Sequence, residues 1–224
     1  MFSIVSLNAR GLQNNIKRKA LFLFAKQFKS DLVYFQESHS IEDNTNLWRS
    51  QWGNTIWLSH GAERSAGVAS LNDRFKGNVL TTKCDPDGHF ICQVIEHNDL
   101  IYLISNIYGY NTKNENVTLL LSIEKIFTGW LSSNACILLG GHFNCILDGS
   151  IDKLPPSQQN STESYLTDFI RRFNLVDIWR EKNPNSRLYT WSNKSGSRQS
   201  RLDYWLISDS LNRDMLIFAS AQRL

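Results

Sequence analysis

The sequence predicts one α/β domain of mixed strands with helices on the outside. Three features carry that prediction. Short apolar runs, partly β-branched, alternate with stretches of helical periodicity along the chain. Turn-forming residues separate them at short intervals. No repeat of fixed period, low-complexity tract or linker divides the 224 residues. Hydrophobic residues make up 42% and charged residues 20%, which supplies a sizeable core and excludes wholesale disorder.

Ser3 to Leu7 fits a buried strand. Asn8 through Asn15 is polar and holds Gly11, so the chain turns there. Ile16, Ala20, Phe24 and Phe28 recur every four residues and predict one face of an amphipathic helix reaching about Lys29. Asp31 to Gln36 is a second strand that delivers Glu37 at its end, and strand, helix and strand make a crossover unit within one sheet. Further strands are predicted at Thr55–Leu58, Gly67–Leu71, Val79–Thr82, Phe90–Ile95 and Leu100–Ile107, the last two joined by a His97-Asn98-Asp99 turn. Leu120, Ile123, Phe127 and Trp130 mark a helix that starts near Asn116. Ala135 to Leu139 is a buried strand running into Gly140-Gly141-His142-Phe143-Asn144. Residues 149–162, with Pro155 and Pro156 among polar residues, read as a loop. Leu166, Phe169, Ile170 and Phe173 mark a third helix, and Arg201 to Ser208 a final strand.

The formal charge of +3 permits a polyanionic partner without demanding one. Cys84, Cys92, Cys136 and Cys145 form no Cys-x-x-Cys pair, which excludes the common zinc spacings and points to reduced, structural thiols. The first residues lack a basic region followed by a long apolar stretch, so a nuclear or cytoplasmic setting is expected rather than secretion. No run approaches membrane-spanning length, so no membrane partner is expected.

Asn8, Glu37, Asn144 and Asp203 fall at or just beyond strand ends, and Tyr108 and Asn111 follow another strand. Polar groups at strand ends converge on a crevice above a sheet, where mid-helix residues would not. A carboxylate such as Glu37 suits a hard cation like Mg²⁺, and amides orient a phosphate without adding negative charge. Each residue also has a plainer use. Glu37 alone reads as an exposed acid, Asn8 and Asn111 as turn residues, Asn144 as a loop amide and Tyr108 as a core aromatic with a wet hydroxyl. The combination carries the argument.

Five segments in order resemble the endonuclease/exonuclease/phosphatase superfamily, which includes exonuclease III and apurinic endonucleases. They are Ser6-Leu7-Asn8-Ala9-Arg10-Gly11-Leu12, Gln36-Glu37, Asn106-Ile107-Tyr108-Gly109-Tyr110-Asn111, Gly140-Gly141-His142-Phe143-Asn144 and Ser200-Arg201-Leu202-Asp203-Tyr204. Leu188-Tyr189-Thr190-Trp191-Ser192, followed by a Ser/Gly/basic loop, is most similar to the endonuclease domain of non-LTR (long interspersed element) retrotransposons. The resemblance implies a two-sheet β-sandwich core of mixed strands flanked by helices, four-layered and DNase I-like. It implies a Mg²⁺-dependent DNA endonuclease, with Mn²⁺ as a possible substitute. Glu37 would hold the metal with Asn8 beside it, and Tyr108 and Asn144 would contact the scissile phosphate or the attacking water. Asp203 would orient a catalytic histidine, and Asn111 would sit close to substrate although Tyr110 replaces the usual preceding proline.

Three departures stand out. His142 replaces the aspartate of Gly-Asp-Phe-Asn that handles the attacking water, and imidazole is a poor Mg²⁺ ligand. Arg10 stands where apurinic endonucleases are acidic and is expected at a DNA phosphate. The family's terminal Ser-Asp-His is not matched: Ser208-Asp209-Ser210 lacks histidine, and the single domain, residues 1–224, is expected to be truncated short of that strand. His39, His60, His89 and His97 do not match it either and are expected on the surface.

In the resembling enzymes a hairpin at the position of residues 191–201 lies along DNA, although a solvated hairpin is the plainer reading. Lys194, Arg198 and Arg201 then become phosphate-contact candidates, with Thr190 and Trp191 shaping the groove contact. Lys17, Arg18 and Lys19 open the first helix and read first as a solvated face. The expected partners are double-stranded DNA and a reverse transcriptase domain in a parent polypeptide, the domain itself acting as a monomer. Two alternatives stay open: a non-catalytic DNA-binding remnant, and a lipid or inositol-phosphate phosphodiesterase on the same fold.

Overall fold

The computed structural model describes residues 2–62, 64–130, 134–157 and 164–211. β1 (Ile4–Asn8), α1 (Asn15–Gln27) and β2 (Leu32–Gln36) form the expected crossover unit. The two strands pair in parallel, with Ile4 opposite Leu32 and Asn8 opposite Gln36. Asn14 caps α1, its side-chain oxygen accepting from the backbone N–H groups of Ile16 and Lys17.

The buried face of α1 is not the predicted one. Ile16 is 79% and Phe28 40% exposed, Ala20 is exposed, and the buried residues are Arg18, Leu21, Phe22 and Ala25. A four-residue step overshoots the helical repeat by about 40°, so residues 16, 20, 24 and 28 drift round the helix. The set 18, 21, 22 and 25 stays on one stripe. That stripe packs between Val33 and Phe35 of β2 and the rings of Trp48 and Trp52. The two tryptophans come from α2 (Thr45–Trp52), a helix that the apolar pattern did not predict, closed by Gly53 at φ 81°.

β3 (Ile56–Ser59) and β4 (Val68–Asn72) complete a four-stranded sheet in the order β1-β2-β4-β3. β5 (Asn78–Cys84), β6 (Phe90–His97) and β7 (Leu100–Tyr108) follow, the last two joined tightly through Asn98 and Asp99 at φ 51° and 59°. Next come α3 (Lys113–Thr128), β8 (Cys136–His142), β9 (Lys153–Leu154), α4 (Ser164–Arg172), β10 (Leu175–Asp177) and α5 (Ile178–Lys182). β11 (Trp191–Ser192), β12 (Gln199–Ser200) and β13 (Asp203–Ser208) end the described elements. β9 lies inside the stretch expected to be a loop, whose residues 158–163 fall outside the described residues. The expectation about a terminal Ser-Asp-His strand concerns the chain after Leu211, also outside them.

The second sheet runs β10-β13-β8-β7-β6-β5, and β11-β12-β9 make a small third one. Leu32 and Tyr34 of β2 pack with Ile95, Ile104, Leu138, Trp205 and Ile207 from the second sheet, forming the core between the sheets. Val33 and Phe35, on the opposite face of β2, meet the helices. On the far side, α3 and α4 cover the second sheet through Leu120, Ile123, Phe127, Leu166 and Phe169. The architecture is therefore the four-layered, two-sheet sandwich implied by the resemblance. Gly140 permits close approach here, since a Cβ at this position would collide with the Trp205 ring. Among the described residues no helix is long and apolar enough to cross a membrane.

Candidate active site

Strand direction gathers the candidate residues at one rim of the sandwich. Asn8 ends β1, Glu37 follows β2, Tyr108 ends β7 and His142 ends β8. Tyr108 and His142 are register partners in the parallel β7–β8 pair. His142 and Asp203 are partners in the antiparallel β8–β13 pair, so the start of β13 lies at the same rim. Beneath, Gln36 Nε2 donates to Asn106 Oδ1 (2.7 Å) and Asn106 Nδ2 to the Ala69 carbonyl (2.9 Å), tying the sheets through two fully buried amides. Glu37 (φ 50°) and Asn144 (φ 51°) adopt left-handed backbone, a cost of about 1–2 kcal/mol for non-glycine residues.

The Tyr108 hydroxyl donates to Glu37 Oε1 at 2.6 Å and closes the rim between the sheets. Burial, reinforced by the Glu37 carboxylate, pushes the Tyr108 phenol well above its ordinary value, which keeps it a donor. The Asn8 side chain accepts the Arg10 N–H at 3.1 Å, and Lys17 Nζ donates to the Arg10 carbonyl at 2.8 Å. Among the described residues no group of three or more His, Cys, Asp or Glu side chains is placed to hold a metal. Glu37, one residue beyond the Asn8–Gln36 register pair, is a hard oxygen donor of the kind Mg²⁺ takes, since that ion keeps several waters and uses one or two carboxylates.

His142 is only 5% exposed. Its Nδ1 lies 3.1 Å from Asp203 Oδ1 and its Nε2 2.8 Å from Asn144 Oδ1. The orientation of the Asn144 amide follows from its other end, because Nδ2 donates to the Gly109 carbonyl at 2.7 Å. Both ring nitrogens therefore face oxygen atoms, an arrangement that a ring protonated on both nitrogens satisfies. Burial opposes that charge, but Asp203, Glu37 and the Asn144 acceptor outweigh it and hold the imidazole pKa above its ordinary value. An imidazolium has no lone pair for a water proton. The second Asp203 oxygen, Oδ2, is buried without a hydrogen-bond partner among the described residues, an acceptor left open.

The nucleic-acid candidates separate into two groups. Arg10 and Asn111 are exposed beside the rim. Asn111 follows Tyr110, whose ring stacks on His89 at 3.5 Å between centroids and whose backbone is clamped by Asn116. Lys194 and Arg198 are exposed on the β11–β12 hairpin and Trp191 is 37% exposed. Thr190 is half-buried, and the expectation for Arg201 requires correction. Thr190 Oγ1 accepts the backbone N–H groups of Leu202 (2.9 Å) and Asp203 (3.2 Å), which makes it an internal clamp on the start of β13. Arg201 is 1% exposed and paired with Asp152 and Asp177, so it cannot reach a phosphate from this position. The surface expectation for the other histidines is also corrected. His89 is buried, donating Nδ1–H to the Tyr108 carbonyl (2.6 Å), and His39, His60 and His97 are half-buried. Sequence reasoning missed Asp152, Asp177 and Arg180; the acid at the end of the short Leu175–Asp177 strand was the available signal.

No protein-family model matches the chain. It is 28% identical over 212 residues to a 149 kDa uncharacterized protein of transposon TX1 from Xenopus laevis. The match takes in 93% of this chain and 16% of that protein, so the chain spans a minor part of its relative. Among solved structures, the 3′ phosphatase NExo from Neisseria, bound to product DNA hairpin, matches with a TM-score of 0.73 at 16% identity, over 94% of this chain and 88% of that one. The catalytic domain of Xenopus laevis APE2 gives 0.72 at 15% identity, over 93% and 83%. The AP endonuclease LMAP from Leishmania major gives 0.66 at 16%, over 93% and 79%. These likenesses bear out, at the level of fold, the resemblance read from the five segments.

Proposed function

We propose that this chain, which has the fold of the AP endonucleases and exonucleases, is an endonuclease domain of retrotransposon type that binds double-stranded DNA and cleaves its phosphodiester bonds slowly. The observation that carries the reading is one rim holding the Tyr108–Glu37 pair beside a His142 ring locked between Asp203 and Asn144. The transposon relative supports the retrotransposon setting, and the DNA-bound phosphatase on this fold supports DNA as the substrate. The chain would act as one domain and a monomer, in the nucleus or cytoplasm, within a parent polypeptide carrying a reverse transcriptase. Its nick would expose a 3′-hydroxyl for priming.

Glu37 and Asn8 would hold Mg²⁺ or Mn²⁺. When bound, such an ion polarises the phosphate as a Lewis acid. Tyr108, its hydroxyl aimed by Glu37, and Asn144 would contact the scissile phosphate or the attacking water. Water attacking phosphorus must lose a proton, and His142 cannot accept it while both of its N–H groups are engaged. The same observation favours a second reading, a DNA-binding domain without cleavage. Nicking of supercoiled plasmid in Mg²⁺ tests both. His142→Asp is expected to nick about 10²–10⁴-fold faster than the unsubstituted chain. Equal rates would remove the role given to His142, and a folded His142→Asp that binds DNA without nicking it would favour the second reading.

A further inference from the structure

Arg201 was expected on DNA and lies instead at the centre of a buried ionic cluster. Its Nε and Nη2 fork onto the two oxygens of Asp152, each at 2.8 Å, and Nη2 also reaches Asp177 Oδ2 at 2.6 Å. Arg180 Nη2 shares Asp152 Oδ1. The Arg201 guanidinium lies over the rings of Tyr204 (4.5 Å) and Trp179 (5.0 Å). Two arginines and two aspartates balance in charge, so the cluster neutralises itself in the interior.

The cluster joins three separate segments. Asp152 precedes β9, Asp177 ends β10 and caps α5, and Arg201 links β12 to β13. The Arg201 N–H donates to the Asp152 carbonyl at 2.9 Å, which extends the β12–β9 ladder by one more bond. Its own carbonyl accepts the Tyr204 hydroxyl at 2.8 Å. Two residues on stands Asp203, the partner of His142, and on the other side stands the hairpin carrying Lys194 and Arg198. One side chain is thus fixed to the frame midway between the candidate dyad and the candidate DNA hairpin.

We infer that Arg201 is a positioning residue, fixing the hairpin that receives DNA phosphate and the Asp203 carboxylate that holds His142, without touching DNA itself. This rests on the reading of the chain as a DNA-binding nuclease domain. A positioning residue and a direct phosphate contact differ in salt dependence, because only the contact releases a counterion.

Arg201→Lys keeps the charge and loses the fork, and Asp152→Asn loosens the cluster from its other side. In each folded variant, checked by its amide NMR spectrum, the His142 ring should titrate at lower pH than in the unsubstituted chain. Affinity for a short DNA duplex should fall about tenfold while the slope of log affinity against log salt stays unchanged. In a third folded variant, Arg201→Gln, which removes the cation, a slope reduced by about one with the His142 titration unmoved would make Arg201 a phosphate contact and overturn the inference. Unchanged affinity and titration in both folded variants would overturn it as well. A measurement without substitution keeps the test open should neither variant fold: phenylglyoxal should modify Arg198 in the free chain and spare Arg201, and modification of Arg201 would contradict its burial. If the unsubstituted chain binds no DNA, the functional reading fails, while the His142 titration still decides whether Arg201 positions Asp203.

Discussion

Asp203 Oδ1 lies 3.1 Å from His142 Nδ1, across a strand register that makes the two residues direct partners. The five-segment resemblance gives that aspartate the task of orienting a catalytic histidine. In this chain it holds the residue standing where the resemblance places a second acid. Where the resemblance places an acid stands a buried imidazole whose pKa burial lowers and Asp203, Glu37 and Asn144 together raise, with Lys17 also within electrostatic reach of Glu37. The Tyr108 hydroxyl and the Asn144 amide are held at the same rim, by Glu37 and by the Gly109 carbonyl.

The hairpin should supply salt-sensitive affinity. Lys194→Ala and Arg198→Ala are each expected to reduce the slope of log affinity against log salt by about one on duplex DNA, uniformly across sequences. Filter binding or fluorescence anisotropy over a salt series reads this out. Slopes equal to that of the unsubstituted chain would place the DNA elsewhere.

The two sides of α1 should differ sharply in stability. Phe22 is buried against Phe35 and Trp52, and Phe22→Ala is expected to cost about 3–5 kcal/mol in denaturant unfolding. Ile16 is 79% exposed, and Ile16→Ser should fall within about 0.5 kcal/mol. Comparable losses at both positions would mean that the four-residue repeat, and not the 18, 21, 22, 25 stripe, faces the core.

The strands' places along the chain and the rim were legible because they depend on local patterns. The apolar runs marked β1, β2, β6, β7 and β8, and polar residues at their ends marked the crevice. α2 was not legible: Trp48 and Trp52 lie in a polar eight-residue stretch, and they become core only through distant residues of α1 and the first sheet, Phe22 against Trp52 among them. The burial of Arg201 depends on Asp152 and Asp177, which are 49 and 24 residues away, so a basic loop read along the sequence absorbed it. His142 was visible as a departure within a motif. Its protonation was not, because that follows from an amide turned by the Gly109 carbonyl and a carboxylate from another strand.

The locked imidazolium is the centre of the account, and ¹⁵N NMR of the His142 ring in the native chain measures it most directly. The expected result is a proton on both Nδ1 and Nε2 at neutral pH, with titration above the ordinary value of 6.5. Because the native pKa is raised, the pairing stabilises the fold fully below the unfolded value, and that contribution is lost as pH rises through the native one. His142→Asn should therefore cost most stability on the acid side of the titration and least on the alkaline side. A neutral His142 ring at pH 7, with one nitrogen bare and titrating below 6.5, would contradict the account and return to this residue the capacity to act as a base.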